Sequence, residues 1–202
     1  MKILGVGRNY VEHIQELDNE MPDEPLIFMK PDTALLRGRD FYIPDYSSNL
    51  HYEVELVLRI SKEGKNIRPE FARRYFDKIG IGIDFTARDL QQKAIEKGCP
   101  WTLAKGFDHS APVSQMKPVS RFANLNDINF SLTLNGQEKQ RGNSGLMIYK
   151  FDYLIHYISR FVTLKTGDLI FTGTPKGVGP VKPGDQLKAF IEDEALLEID
   201  IK

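Results

Sequence analysis

Cysteine is almost missing from this chain: Cys99 stands alone among 202 residues. No internal disulfide can form, and a single thiol suits a reducing cytoplasm. An excess of positive charge is missing too. The 27 Lys and Arg face 28 Asp and Glu, for a formal net charge of -1. That balance argues against a general nucleic-acid or anionic-membrane binder, since both need a basic field. No apolar run approaches transmembrane length. The opening MKILGVGRNY carries too short a run for the core of a secretory signal. Internal repeats and low-complexity stretches are absent as well. What remains is the composition of a soluble globular protein, 41% hydrophobic and 27% charged. Its length suits one domain over 1–202 with a sizeable core.

The local patterns are mostly those of short strands. Met1 to Val6 reads as a strand, and NYVEHIQEL follows with Tyr10, Ile14 and Leu17 at helical spacing. The polar stretch DNEMPDEP breaks that pattern before a second short strand, LIFMKP. LHYEVELVLRI, from Leu50 to Ile60, alternates as one strand. Val54, Leu56, Leu58 and Ile60 share one face; His51, Glu53 and Glu55 share the other. RPEFARRYFDKI is expected to be helical, with Pro69 at the first position. In KIGIGIDF the isoleucines point one way while Gly80, Gly82 and Asp84 point the other, so Asp84 is expected over an open, glycine-lined floor. Thr86 and Asp89 resemble a capping box for a helix over 87–97, which Gly98 ends. Its inner face would be Ala87, Leu90, Gln91, Ala94 and Ile95. Asn135-Gly136 marks a hairpin turn, the run from Phe151 to Val162 an amphipathic helix, and LKAFIEDEALLEIDI a closing β pair. Strands outnumber helices and do not alternate with them, so the expected class is α+β, mainly β.

Three carboxylates carry the chemistry. Glu53 and Glu55 lie two apart on a strand, roughly 6.5–7 Å between Cα atoms, and can converge on one cation. An E-x-E pair alone is also what a solvated strand face looks like, but Asp84 ends a second strand nearby in the pattern. If all three meet, either one is protonated or a cation sits among them. Oxygen donors favour Mg²⁺, Mn²⁺ or Ca²⁺ over Zn²⁺. His13 and Glu16 are neighbours on the first helix, an arrangement that orients an imidazole as a base or merely decorates a wet surface. Lys105 follows an apolar run and Trp101, and reads as either a semi-buried cation or a loop lysine. Arg88 and Gln91 could hold a carboxylate, or Arg88 could pair with Asp84 or Asp89. TGTPKGVGP, with Thr174, can form an anion-binding nest or a tight β connection; it is neither a dinucleotide fingerprint nor a P-loop. His109 and His156 read as structural or exposed, and Cys99 has no adjacent base.

Taken in order, GRNYVEH, HYEVEL, GIDFTARDLQ, PWTLAKGFD and GDLIFTGTPKGVGPVKPGD resemble the fumarylacetoacetate hydrolase superfamily, in particular its short acylpyruvase and oxaloacetate decarboxylase-like members. The resemblance runs over nearly the whole chain. It implies a mixed β-sandwich roll with a few flanking helices, a homodimer, and one divalent metal per subunit. It implies that Glu53, Glu55 and Asp84 hold Mg²⁺ or Mn²⁺. His13 and Glu16 would activate water, Lys105 would stand beside the substrate, and Arg88, Gln91 and Thr174 would hold the 2-oxo acid. His51 then serves as support rather than as a ligand. The expected activity is hydrolysis of a C–C bond in 3-acylpyruvates such as acetylpyruvate or fumarylpyruvate, through a pyruvate enolate that the cation stabilises. The alternatives on the same site are an oxaloacetate decarboxylase or tautomerase and a 2-hydroxyhepta-2,4-diene-1,7-dioate isomerase. A non-catalytic domain that binds a 2-oxo acid is a further alternative. The partner is a small molecule, with no nucleic acid and no membrane.

Overall fold

A computed structural model describes residues 1–18 and 20–202; Asn19, within the DNEMPDEP stretch, lies outside the described residues. Two sheets dominate. The larger has six strands in the order Lys117–Pro118, Phe76–Ile83, Val54–Ile60, Leu169–Phe171, Ile3–Gly7, Leu26–Lys30. The other has five: Gln137–Asn143, Asn129–Leu134, Gln186–Ile191, Glu194–Ile201, Asp40–Phe41. Leu56, Ile79 and Ile81 of the first join Leu132, Ala189 and Ile199 of the second in one buried cluster. A second cluster of Ile3, Val57, Leu169 and Phe171 covers the opposite face of the six-stranded sheet. With both faces covered, that sheet has no wet side on which carboxylates could rest. The helix Phe151–Phe161 flanks the core, burying Phe151, Leu154, Ile155 and Ile158. Among the described residues no helix is long and apolar enough to cross a membrane.

The strand expected from Leu50 to Ile60 is two strands. Leu50–Tyr52 belongs to a small three-stranded sheet with Thr86–Ala87 and Gly179–Pro180, and Val54–Ile60 belongs to the six-stranded one. Glu53 is the residue at the crossing. The helix expected over RPEFARRYFDKI shrinks to Pro69–Ala72. From Phe76 onward the chain is strand, because Ile79 pairs with Leu58 and Lys78 with Arg59 in the sheet's ladder. Tertiary pairing there outweighs local periodicity.

The glycine-lined floor is also not found. A Cβ on Gly82 would sit 2.6 Å from the Phe171 ring and 2.9 Å from Val57, so this glycine admits a packed aromatic. Gly80 similarly faces Ser114 and Met116. The helix after Asp84 spans Arg88–Glu96, close to expectation, but no capping box forms. The Thr86 hydroxyl instead donates to Asp84 O at 3.2 Å, and Asp89 accepts from the Ser47 hydroxyl at 2.7 Å. Ile95, expected on the inner face, is exposed. The Asn135-Gly136 turn has φ of 51° and 80°, as a two-residue hairpin turn with both residues left-handed requires.

One parallel pairing matters for the site. Ile3–Gly7 lies beside Leu169–Phe171, with Gly5 opposite Phe171. The loop after each strand therefore leaves the sheet at the same end. Asn9 joins them: its amide donates to Thr172 O at 2.7 Å and Tyr149 O at 3.0 Å, and accepts from Tyr149 N at 2.8 Å.

Candidate active site

Strand register brings the three carboxylates together. Glu55 lies opposite Gly82, and Asp84 N donates to Glu53 O at 2.8 Å one step along the same pair. With period 2, Glu53, Glu55 and Asp84 emerge on one face. A carboxylate oxygen from each lies within 4.8 Å of the other two, and all three residues are buried.

Three buried carboxylates at this separation repel strongly unless cations intervene. Two of them have such partners. The Lys105 ammonium lies 2.7 Å from Glu53 Oε2 and 2.6 Å from Asp84 Oδ2, and also donates to the Thr86 hydroxyl at 2.6 Å. Lys30 reaches Asp84 Oδ1 at 2.6 Å, and Arg88 pairs with Glu53 through Nη2. Although burial acts to raise it, the Glu53 carboxyl is held well below its ordinary value by Lys105 and then Arg88. Glu55 differs. Its bonded partner is a peptide N–H, Gly173 N at 2.6 Å, and burial followed by Asp84 and Glu53 pushes its carboxyl well above the usual range. Lys30, Lys105 and Arg88 match the three acids in number, but among the described residues none of them pairs with Glu55, which stands on the side of the cavity. Oxygen donors grouped in this way suit a hard divalent cation.

Lys30 was not singled out in the sequence. It ends the Leu26–Lys30 strand with its side chain turned into the molecule, where it donates to Ser110 Oγ at 3.0 Å and Ser110 O at 3.2 Å and also meets Lys105 O. A lysine at the end of a short apolar strand gives no sequence signal of burial; the acid it meets is 54 positions away. Lys105 itself ends a one-turn helix, Thr102–Lys105, that periodicity did not reveal.

The carboxylates open onto a cavity of about 100 Å³. Of the nine residues expected at the site, Glu53, Glu55, Lys105, Arg88, Gln91, Thr174 and His13 line it. Asp84 and Glu16 stand behind Lys105 and His13, each hydrogen-bonded to the residue in front. Arg8, with φ of 57°, Phe28 and Trp101 also line it. Arg88 Nη1 donates to Gln91 Oε1 at 2.5 Å, so the Gln91 NH₂ group is left free to donate elsewhere. His51 supports Arg88. Its Nε2 donates to Asn49 Oδ1 at 2.9 Å, its Nδ1 accepts from Arg88 Nε at 3.5 Å, and burial together with Arg88 pulls its pKa down to about 4. The Thr174 hydroxyl donates to Val54 O at 2.9 Å and is thereby committed to the backbone.

His13 is buried and its Nδ1 lies 3.2 Å from Glu16 Oε2, while Glu16 Oε1 accepts from Gly177 N at 2.9 Å. Burial lowers the His13 pKa below its ordinary value of 6.5, against the raising effects of Glu53 and Glu16. With Nδ1–H donated to Glu16, the free lone pair sits on Nε2. His156 Nδ1 donates to Ile67 O at 2.7 Å away from the site, and Cys99 is exposed.

A mixed β roll that buries three acids beside a buried ammonium on a small cavity offers the oxygen donors that a hard cation takes. Comparison with known proteins makes this specific. Residues 2–202 match the family described as fumarylacetoacetate (FAA) hydrolase C-terminal, and the chain belongs to that family. It is 45% identical over 192 residues to the mitochondrial oxaloacetate decarboxylase of Dictyostelium discoideum, covering 94% of this chain and 88% of that protein. It is 40% identical to a mitochondrial oxaloacetate tautomerase of Mus musculus, covering 99% and 91%. The crystal structure of fumarylpyruvate hydrolase from Pseudomonas aeruginosa, in complex with Mn²⁺ and pyruvate, superposes with a TM-score of 0.94 at 35% identity, covering 100% and 89%.

Proposed function

We propose that the chain is a divalent-metal-dependent enzyme that acts on a small 2-oxo dicarboxylate of the oxaloacetate type, by decarboxylation or keto–enol interconversion. The observation that carries the reading is the convergence of Glu53, Glu55 and Asp84, with Glu55 unpaired by any of the three neighbouring cations, beside Lys105 on a cavity of only about 100 Å³. Ligand pockets commonly run about 300–1,000 Å³, so this one suits a ligand of few atoms. The similarity to an oxaloacetate decarboxylase and an oxaloacetate tautomerase supports the same substrate class.

Glu53, Glu55 and Asp84 would hold the cation, which would supply Lewis acidity to a bound 2-oxo acid. The remaining steps belong to the chain. Lys105 brings a buried positive charge to the place where enolate charge develops, and its bonds to Glu53, Asp84 and Thr86 fix its direction before substrate arrives. Arg88 and the free NH₂ of Gln91 donate to the 2-oxo acid's carboxylate. Thr174 lines the same cavity, but its proton is committed to Val54 O and its oxygen accepts from Gln140, so it shapes the pocket without donating to that carboxylate. His13, neutral at pH 7 with its Nε2 lone pair free, takes the C3 proton in keto–enol interconversion. Loss of CO₂ from oxaloacetate needs no such base.

The second reading is hydrolysis of 3-acylpyruvates, the activity first expected from the sequence. The His13–Glu16 pair favours it, since the same lone pair can deprotonate water. Comparing kcat/KM for oxaloacetate and acetylpyruvate, with products followed by NMR, decides between them. A larger value for oxaloacetate supports the first reading, and a larger value for acetylpyruvate supports the second. A homodimer in the cytoplasm completes the proposal; gel filtration with light scattering checks the dimer.

A further inference from the structure

At Glu53 the chain crosses from the three-stranded sheet to the six-stranded one, and Val54, between the two expected metal ligands, is the first residue of the new strand. Val54 lies opposite Ile83 on one edge, but on the other edge the Leu169–Phe171 strand reaches only Val57, and there the Val54 peptide groups bond to side chains. Val54 N donates to Gln140 Oε1 at 2.8 Å, and Val54 O accepts from the Thr174 hydroxyl at 2.9 Å. Gln140 comes from Gln137–Asn143, at the edge of the five-stranded sheet, yet it is 1% exposed. Its NH₂ group donates to the Thr174 hydroxyl at 2.8 Å and to Pro175 O at 2.9 Å. Every polar atom of this amide is therefore used, in a closed ring: Gln140, Val54, Thr174 and back.

The ring has neighbours that matter. Gly173 N, one residue before Thr174, is the bonded partner of Glu55, and Gly177 N, two residues after Pro175, is bonded to Glu16. The loop lies so close to the Gln140 strand that a Cβ on Gly177 would meet Lys139 O at 2.0 Å. We propose that Gln140 is a positioning residue: it bonds Val54 on the edge that the Leu169–Phe171 strand does not reach and so fixes the spacing of Glu53 and Glu55 against each other and against the Thr174 loop. It touches neither cation nor substrate. This inference rests on the metal-site reading above. Residues that orient metal ligands commonly affect metal affinity 10–100-fold when changed.

The test is Mn²⁺ binding to metal-stripped full-length protein, read from the free-ion EPR signal, for wild type, Gln140→Leu, Gln140→Glu and Ser159→Ala. Leucine removes all three bonds. Glutamate keeps the acceptor for Val54 N and loses the two donors. Ser159 is equally buried and bonded to a backbone N–H, at Ile67, but far from the cavity; its variant controls for simple destabilisation. The expected result is Mn²⁺ affinity weaker by about 10–100-fold in Gln140→Leu, a smaller loss in Gln140→Glu, and wild-type affinity in Ser159→Ala. Binding by Gln140→Leu within threefold of wild type overturns the proposal, as does an equal loss in Ser159→Ala. If the leucine variant does not fold, Gln140→Glu decides, and wild-type affinity there overturns it. A wild-type protein that binds no Mn²⁺ overturns the metal reading along with this one, whereas normal wild-type binding with unaffected variants overturns this one alone.

Discussion

Nine side chains were singled out in the sequence, and their types were informative because buried charge is rare and needs partners. What the sequence did not carry is depth. Lys30, Gln140 and the support of Arg88 by His51 depend on pairs 37 to 86 positions apart, and no local pattern encodes them. Lys30 gives a direct test of how the acid cluster is balanced. Lys30→Met leaves Asp84 without one of its two ammonium partners, and removing one member of a buried pair costs about 3–5 kcal/mol. Urea unfolding at pH 7 should register that loss; a change below about 1 kcal/mol would mean that Lys105 alone neutralises Asp84. His13 sets the pH dependence. Its folded pKa is lowered below 6.5, so the base remains neutral from alkaline pH down past 6.5. For a reaction that uses it, the acid limb of kcat/KM has its midpoint below 6.5. A midpoint above 6.5 contradicts burial as the controlling effect. The stability sign agrees: the unfolded chain takes up this proton first, so the contribution of neutral His13 is present above 6.5 and is lost as pH falls through the folded value.

Among elements, the ones legible in the sequence were those whose signal is local. The Asn135-Gly136 hairpin, the Phe151–Phe161 helix and the closing Gln186–Ile191 and Glu194–Ile201 pair lie where turn chemistry and periodicity put them. The errors share a cause. RPEFARRYFDKI has a helical pattern, but its second half is needed as sheet opposite Leu58 and Arg59. LHYEVELVLRI alternates without interruption, but it serves two sheets and breaks at Glu53. That break is set by partners distant in the sequence, Thr86–Ala87 and Gly179–Pro180 for one strand and Phe76–Ile83 for the other. Gly82 illustrates the same limit: a glycine in a strand signals close approach, but not by what. Since the approaching group is the fully buried Phe171 ring, Gly82→Ala should destabilise by about 1–3 kcal/mol through overpacking. Thermal unfolding checks this. An unchanged Tm would mean that the ring can move aside.

The whole molecule is a roll in which two packed sheets hold the acids rigidly while loops from distant parts of the chain close the cavity over them. The family resemblance supplied the overall architecture, and the belonging of residues 2–202 to that family bears it out. Substrate choice was less legible. Oxaloacetate and acetylpyruvate are alike in size, so the preference proposed for oxaloacetate rests on the relatives named for oxaloacetate chemistry. Metal bound only by the folded state also stabilises that state, by about 2.7 kcal/mol at a concentration a hundred times its Kd. Mg²⁺ or Mn²⁺ should therefore raise the Tm of stripped protein, and Glu55→Gln should abolish the rise. An equal rise in Glu55→Gln would place the cation elsewhere. The central claim is metal-dependent turnover of a 2-oxo acid. It is tested most directly by NMR of oxaloacetate, acetylpyruvate and fumarylpyruvate with EDTA-stripped protein before and after Mn²⁺ is restored, against Mn²⁺ without protein. The account predicts negligible enzymatic turnover when stripped and recovery on restoration, fastest with oxaloacetate. Equal rates with and without the metal, or no turnover of any of the three, would contradict it.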